Sequence, residues 1–320
     1  VDFEPYRGEL VAHCYRMTGS FYDAEDLVQE TMLRAWKARD SYDRTRASVR
    51  TWLYRIATNV CLSALEGRAR RPLPSGLGAP SEDLAAPLTP ALDVPWLQPF
   101  PDARFDTGTR ADMRLALVAA MQYLPPRQRA VLVLREVLEF TAAEVATQLG
   151  TSVPAVNSAL QRARAALAAV GDVGEVSEPD DPEVNAVIER YVRAFEAADV
   201  PALVRLLTDD AVLEMPPVPL WYQGSGDYGL FMHRVFEMRG TGWSARRLSA
   251  NGQPAFAAYA PAADGRLVLH SVQVFTVTGG RARGARVARV ARNVVFADPR
   301  VFEAFELPSL IFPGEFRQPR

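Results

Sequence analysis

Prolines stand at positions 72, 74, 80, 87, 90, 95, 99 and 101 of this 320-residue chain. Each proline fixes φ and removes a backbone donor, so neither a regular helix nor a central strand survives at that density. One continuous core therefore cannot run through the chain. The segment 72–108 reads as an extended linker, longer than an ordinary intradomain loop. A second break over 171–181 lies in GDVGEVSEPDDP, which is polar, acidic and proline-punctuated. Three folded blocks remain, 1–71, 109–170 and 182–300, with an apolar tail at 301–320. The length suits two or three domains.

Hydrophobic residues make up 48% and charged residues 23%, an ordinary globular balance. No run approaches the roughly 20 apolar residues a membrane helix needs, and no signal peptide is visible because Glu4, Arg7, Glu9 and Arg16 break the first apolar cluster. The expectation is a cytoplasmic protein with no membrane contact. Cys14 and Cys61 lie far apart in sequence without metal-ligand spacing, so they read as buried small residues; no metal or cofactor is expected. The overall charge of −2 hides a pattern. Two modestly basic helical blocks flank an acidic linker carrying Glu82, Asp83, Asp93, Asp102 and Asp106. Such a surplus permits nucleic-acid contact.

Block 1–71 is helical. An acidic start at Asp23 leads into a stripe of Ala24, Leu27, Val28, Thr31 and Ala35. A further helix begins near Ser48, with Trp52, Leu53, Ile56, Ala57, Val60, Cys61 and Leu65 able to face a core. In block 109–170, a short helix holding Val145, Ala146 and Leu149 stops at Gly150. Thr151 or Ser152 then caps a second helix with Pro154 in its first turn. Helix, tight glycine turn and helix with polar outward residues form the helix-turn-helix pattern.

DAEDLVQETMLRAW (23–36), SVRTWLYRIATNVCLSALEGRARR (48–71) and LPPRQRAVLVLREVLEFTAAEVATQLGTSVPAVNSALQRARAAL (124–167) occur in that order. They resemble, respectively, the parts of a sigma factor that grip core RNA polymerase, melt and read the minus-10 element, and read the minus-35 element. With only these two sigma domains, the chain resembles the extracytoplasmic-function (group IV) members of the sigma-70 family, of actinobacterial type. The resemblance implies core RNA polymerase and promoter DNA as partners.

The residue chemistry fits those roles. Arg55, Arg68, Arg70 and Arg71 can meet phosphates, Asn59 and Ser63 can bond the edge of an extruded base, and Trp52 can stack on one or pack in the core. By family analogy, Tyr42 and the loop 39–47 frame that base pocket. Ser152, Ala155, Asn157, Ser158 and Gln161 are the minus-35 base-reading candidates, with Arg162 and Arg164 on phosphates. Asp26, Gln29, Glu30, Leu33, Arg34 and Trp36 form a mixed surface suited to the polymerase. In this group the linker threads toward the polymerase cleft, where its carboxylates can mimic nucleic acid. Within it, VPWLQPFPD (94–102) is similar to the WLPEP-like motif of sigma factors with SnoaL-like extensions, although Gln98 and Phe100 depart from that wording. Trp96, Leu97 and Phe100 are too large for a spacer and should dock, with the C-terminal domain as one candidate.

Block 182–300 reads as helices near 184–198 and from Asp199, then the strand AVLEMPP, a loop and helix in LWYQGSGDYGLFMHRVF, and alternating antiparallel strands at 267–277 and 285–295. This order suggests an α+β cone with a central pocket. It resembles the SnoaL-like proteins of the nuclear-transport-factor-2-like superfamily. The expected fold is multidomain: two all-α sigma domains followed by that cone. Pocket candidates are Glu214, Met215, Trp221, Tyr222, His233 and His270. The superfamily holds enzymes and non-enzymes. No acid/base pair can be placed here, so a cis-acting regulator is expected rather than an enzyme. The alternative is a sigma module fused to a ligand-sensing or enzymatic domain that takes a small ligand. The tail residues Phe302, Phe305, Leu307, Leu310, Ile311 and Phe312 are expected to dock across domains.

Overall fold

The structure, a computed structural model, describes residues 2–104, 113–170, 181–282 and 285–313. Asp106 and the break at 171–180 lie outside the described residues. Two compact units emerge: Val1–Arg71 with Asp102–Val173, and Pro72–Pro101 with Gly174–Arg320. The proline-rich segment 72–101 is thus part of the second unit and not a spacer.

The first unit is helical, with α1 (Arg7–Thr18), α2 (Phe21–Ala38), α3 (Val49–Leu65), α4 (Leu115–Met121), α5 (Pro126–Leu132), α6 (Ala142–Leu149) and α7 (Val153–Val170). Every residue of α1 from Leu10 to Thr18 is buried. A helix covered on all sides is a central one. It ends on Gly19 in the left-handed region, φ 69°, where a glycine carries no Cβ penalty. Ser20 then caps α2 by accepting from the Asp23 N–H, so α2 starts two residues before the expected acidic start. Cys14 on α1 and Cys61 on α3 are both buried, and their thiols hydrogen-bond across the α1–α3 seam. That bond and burial push the Cys14 thiol well above its ordinary pKa.

The two helical blocks pack together within this unit. Buried Arg129 of α5 donates to the Met17 carbonyl of α1, to Gln122 Oε1 at 2.8 Å, and to the Gln122 and Leu124 carbonyls at 3.1 Å each. Phe140 sets its ring 5.7 Å from Tyr54 of α3, with the Arg50 guanidinium over both rings.

In the second unit, α8 (Pro182–Glu196), α9 (Val200–Val204) and α10 (Ser225–Arg239) cover one face of a mixed sheet. Its strands are β1 (Leu207–Met215), β2 (Val218–Gln223), β3 (Ser244–Ala250), β4 (Gln253–Pro261), β5 (Leu267–Ala282) and β6 (Ala285–Phe296), in the order β2-β1-β6-β5-β4-β3. The helix expected from Asp199 ends before Leu207, which opens β1, and residues 218–223, expected within a loop, form a strand. The β1–β6 pairing is parallel, so the sheet is not purely antiparallel.

The tail forms α11 (Pro299–Ala304) and β7 (Leu310–Ile311), which pairs with β5. Phe302, Leu307 and Ile311 pack with Ala257, Tyr259, Leu267 and Leu269 on the outer sheet face. The tail therefore covers the sheet of its own unit. With helices on one face and the tail on the other, β4 is buried from Gln253 through Ala260, as expected of a strand covered on both faces.

Candidate functional site

The first unit carries three distinct surfaces. On α3, Trp52, Arg55, Ile56 and Asn59 join Arg34 and Ala38 of α2 around a cleft of about 290 Å³. Trp52 is half-buried between Tyr42, centroids 4.8 Å apart, and Phe3 at 5.8 Å, so it serves both the packing and the cleft wall. Tyr42 is held by its hydroxyl donating to the Ala47 carbonyl at 2.8 Å. Arg34, assigned from sequence to the polymerase face, lines this cleft and pairs with Glu30 at 2.6 Å. Ser63 is exposed further along α3, outside the cleft lining. The three C-terminal arginines are also elsewhere. Arg68 and Arg71 share Asp23 at 3.1 and 2.8 Å, and Arg70 lies over the Tyr123 ring at 4.3 Å.

On α2, Asp26, Gln29, Leu33 and Trp36 are exposed and Glu30 half-buried. Leu33 is 46% and Trp36 59% exposed, the latter under the Arg39 guanidinium at 4.2 Å. Large apolar side chains thus stand in water on the same helix as the Asp26 and Glu30 carboxylates.

The helix-turn-helix is built as the sequence predicts. Thr141 and Glu144 form a reciprocal capping box on α6, Gly150 turns at φ 61°, and Ser152 Oγ accepts from the Ala155 N–H at 3.3 Å. Val156, Leu160 and Ala163 are buried. Ser152, Ala155, Asn157, Ser158, Gln161, Arg162 and Arg164 are all exposed. Arg162 donates to Ser158 Oγ at 2.7 Å, and Arg164 pairs with Glu136.

The second unit holds a cavity of about 240 Å³ between α10 and the sheet. Met215 and His270 line it as expected; Glu214, Trp221, Tyr222 and His233 do not. His233 is on the outer side of α10, 3.3 Å from exposed Glu237. The other three face the proline-rich strap. Buried Glu214 accepts from the Ser75 N–H at 3.1 Å and lies 3.2 Å from Arg292. Trp221 Nε1 donates to the Gly78 carbonyl at 2.9 Å, and the Tyr222 hydroxyl to the Asp83 carbonyl at 3.3 Å.

Further bonds complete the strap. Arg234 donates to the Leu84 and Ala86 carbonyls at 2.6 and 3.0 Å. Backbone bonds run from Ser81 to Trp221 and from Ala91 to Pro217. Phe100 exchanges two bonds with Asn251, at 2.8 and 2.9 Å. Leu97 and Phe100 are fully buried, and Trp96 Nε1 donates to the Ala91 carbonyl. Within this motif, Phe100 meets the C-terminal domain through its backbone, at the Asn251 turn. Of the acidic linker residues, Glu82, Asp83 and Asp93 are exposed while Asp102 is buried.

Sequence reasoning missed Trp243, Arg239, Ser271, Gln273, Leu88 and Pro90 in the cavity wall. Ser271 and His270 are sequence neighbours, which strict strand alternation would place on opposite faces. A bulge pairs Ala258 with Ser271 and Tyr259 with Leu269, leaving His270 as the extra residue. That irregularity lets both side chains reach the cavity. Trp243 meets His270 edge-on at 5.1 Å. Burial, with nearby Arg239, lowers the His270 pKa to about 4, so its imidazole is neutral at pH 7. No set of three or more His, Cys, Asp or Glu side chains able to hold a metal occurs among the described residues. No helix among them is long and apolar enough to cross a membrane.

A helix-turn-helix, an arginine-lined cleft and an attached α+β cone together define a DNA-binding transcription factor with an added pocket domain. Comparison with known proteins specifies the class. Residues 3–71 match Sigma-70 region 2, residues 114–167 match Sigma-70, region 4, and residues 188–285 match the SnoaL-like domain. The ECF RNA polymerase sigma factor SigG of Mycobacterium tuberculosis is 49% identical over 318 residues, covering 95% of this chain and 82% of that protein. SigJ of the same organism is 31% identical, covering 88% of each chain. The crystal structure of SigJ superposes with a TM-score of 0.63 at 26% identity, over 96% of this chain and 99% of that one. The chain belongs to the ECF RNA polymerase sigma factors. It directs promoter-specific transcription initiation, with core RNA polymerase and promoter DNA as its partners.

Proposed function

We propose that this sigma factor is restrained in cis by its SnoaL-like domain, which holds the segment joining the two sigma regions. The cleft of Arg34, Trp52, Arg55 and Asn59, with Ser63 beyond it, takes the opened minus-10 element. The exposed face of α7 reads the minus-35 element, and the Asp26–Trp36 face of α2 docks on core polymerase. The domain boundaries follow these roles, with residues 72–101 as a strap between the two sigma regions. The protein works in the cytoplasm, where polymerase and chromosome meet. We read the last domain as a regulator and not an enzyme, because His270 has no carboxylate partner among the residues lining its cavity.

One observation carries this reading: the strap is bonded along its length to the C-terminal domain, from Ser75 on Glu214 to Phe100 on Asn251. A strap that must reach the polymerase cleft has to give up those bonds first. Replacing Arg234 with Ala and Trp221 with Phe removes side-chain bonds to the strap while leaving the sigma unit untouched. Each such bond stabilises by about 1 kcal/mol. Run-off transcription with purified core polymerase on a cognate promoter should therefore rise severalfold in the double variant. Unchanged output would remove the cis control, and a fall would turn restraint into support.

A further inference from the structure

The cavity of the second unit is built for a ligand of particular chemistry. Its walls are mainly apolar: Phe195, Leu213, Phe231, Val235 and Trp243 among them. Four polar side chains interrupt them, and each has hydrogen-bonding capacity to offer. The Ser271 hydroxyl is fully buried and has no hydrogen-bond partner among the described residues. A buried hydroxyl left unsatisfied is unfavourable, and a ligand that bonds to it removes that penalty. Gln273 accepts from Asn293 at 2.8 Å through Oε1, which leaves its amide N–H groups as donors. His270 supplies one further ring N–H. Arg239, exposed at the cavity wall, has no carboxylate within ion-pair distance among the described residues. These groups donate, and none of them is an anion. The volume, about 240 Å³, falls below the roughly 300–1,000 Å³ of clefts that hold drug-sized molecules.

We propose that this cavity binds a compact apolar monocarboxylic acid, with its ring or short branched chain among the apolar walls and its carboxylate between Ser271 and Arg239. Leu88 and Pro90 of the strap form part of the same wall. An occupant therefore touches the strap directly and stabilises its docked state. Ligand affinity and strap docking are then reciprocally linked. The site rests on the geometry of the second unit. Its regulatory consequence rests on the cis restraint proposed above, and the two are separable because binding is measured without polymerase.

The test uses the full chain, with benzoate and phenylacetate as acid probes, benzamide as a neutral isostere and benzylamine as a cation. Isothermal titration should show saturable one-to-one binding of at least one acid. The isostere should bind about tenfold or more weakly, the scale of one lost charge-assisted hydrogen bond, and the amine not at all. Arg239→Gln, an exposed change that leaves the core intact, should weaken the acid about tenfold and leave benzamide unaffected. Ser271→Ala should weaken both. Hydrogen exchange at the Ser81 and Ala91 amides should slow when the acid is bound. The proposal is overturned if neither acid saturates a site, if benzamide binds as well as the acids, or if Arg239→Gln changes nothing. Binding without any slowing of strap exchange would overturn the coupling.

Discussion

At the scale of single residues, burial of titratable groups sets how the protein responds to pH. His13 is fully buried, bonded to Thr58 Oγ1 at 3.0 Å, edge-on to Tyr54 and close to Arg16. Burial first, then the Arg16 charge, lowers its pKa from 6.5 to about 3. The unfolded chain thus takes up a proton below pH 6.5 that the native state refuses until about pH 3. The stability this residue contributes is complete above pH 6.5 and is lost as pH falls through that window, at up to about 1.4 kcal/mol per pH unit. Denaturant midpoints at pH 7 and pH 5 should show the loss, and His13→Gln should flatten the slope. An unaltered slope in that variant would show that carboxylates alone set it. Cys14 illustrates the opposite direction. With its thiol pKa raised and its side chain buried, neither it nor Cys61 should react with iodoacetamide in the native protein, while both should after unfolding.

Elements bring residues together that no residue property reveals. In α7 the helical period alone sorts Val156, Leu160 and Ala163 inward from Asn157, Ser158 and Gln161 outward, and the structure keeps that division. Asn157→Ala or Gln161→Ala should each relax base preference in the minus-35 element, by about 1–3 kcal/mol where the amide pairs a base, read by binding to a set of single-base promoter variants. Arg162→Ala should instead weaken binding to all variants alike and lower its salt dependence. A uniform loss from Asn157→Ala would move that residue to the phosphates. The α9–α10 crossing shows what periodicity leaves out. A Cβ on Gly229 would stand 2.6 Å from Val204 Cγ2, a stiff β-branched side chain. Gly229→Ala should cost about 1–3 kcal/mol in thermal unfolding of the second unit. The β5 bulge is similar: it turns His270 and Ser271 toward one cavity, and nothing in LVLHSVQVF announces it.

At the scale of the whole molecule, the strap changes how the chain should be divided. A cut near residue 180 leaves the helical unit but strips the cover from Leu84 and Leu88, which pack on the C-terminal domain, and from Phe100, which bonds to it. Such a fragment should aggregate, and light scattering of 1–180 beside the full chain reads this directly. Point changes at Arg234 and Trp221 are the cleaner probe of restraint. The order of residues alone carries the helical sigma regions, the helix-turn-helix and the α+β character of the last domain. Those features are local, carried by residue periods, caps and turn glycines that lie within a few positions of one another. It also singled out Trp96, Leu97 and Phe100 as residues that must dock, because their apolar surface has no place in water. It takes the closed fold to put Phe100 on Asn251, to make Glu214, Trp221 and Tyr222 anchors of the strap instead of cavity lining, and to engage Arg68, Arg70 and Arg71 with Asp23 and Tyr123. Those outcomes depend on contacts between residues dozens to more than a hundred positions apart, as with Ser75 on Glu214 or Phe100 on Asn251. Parallel pairing of β1 with β6 is of the same kind. A chain states its local preferences in its own order; which side chains finally meet is fixed by how the folded elements close over one another.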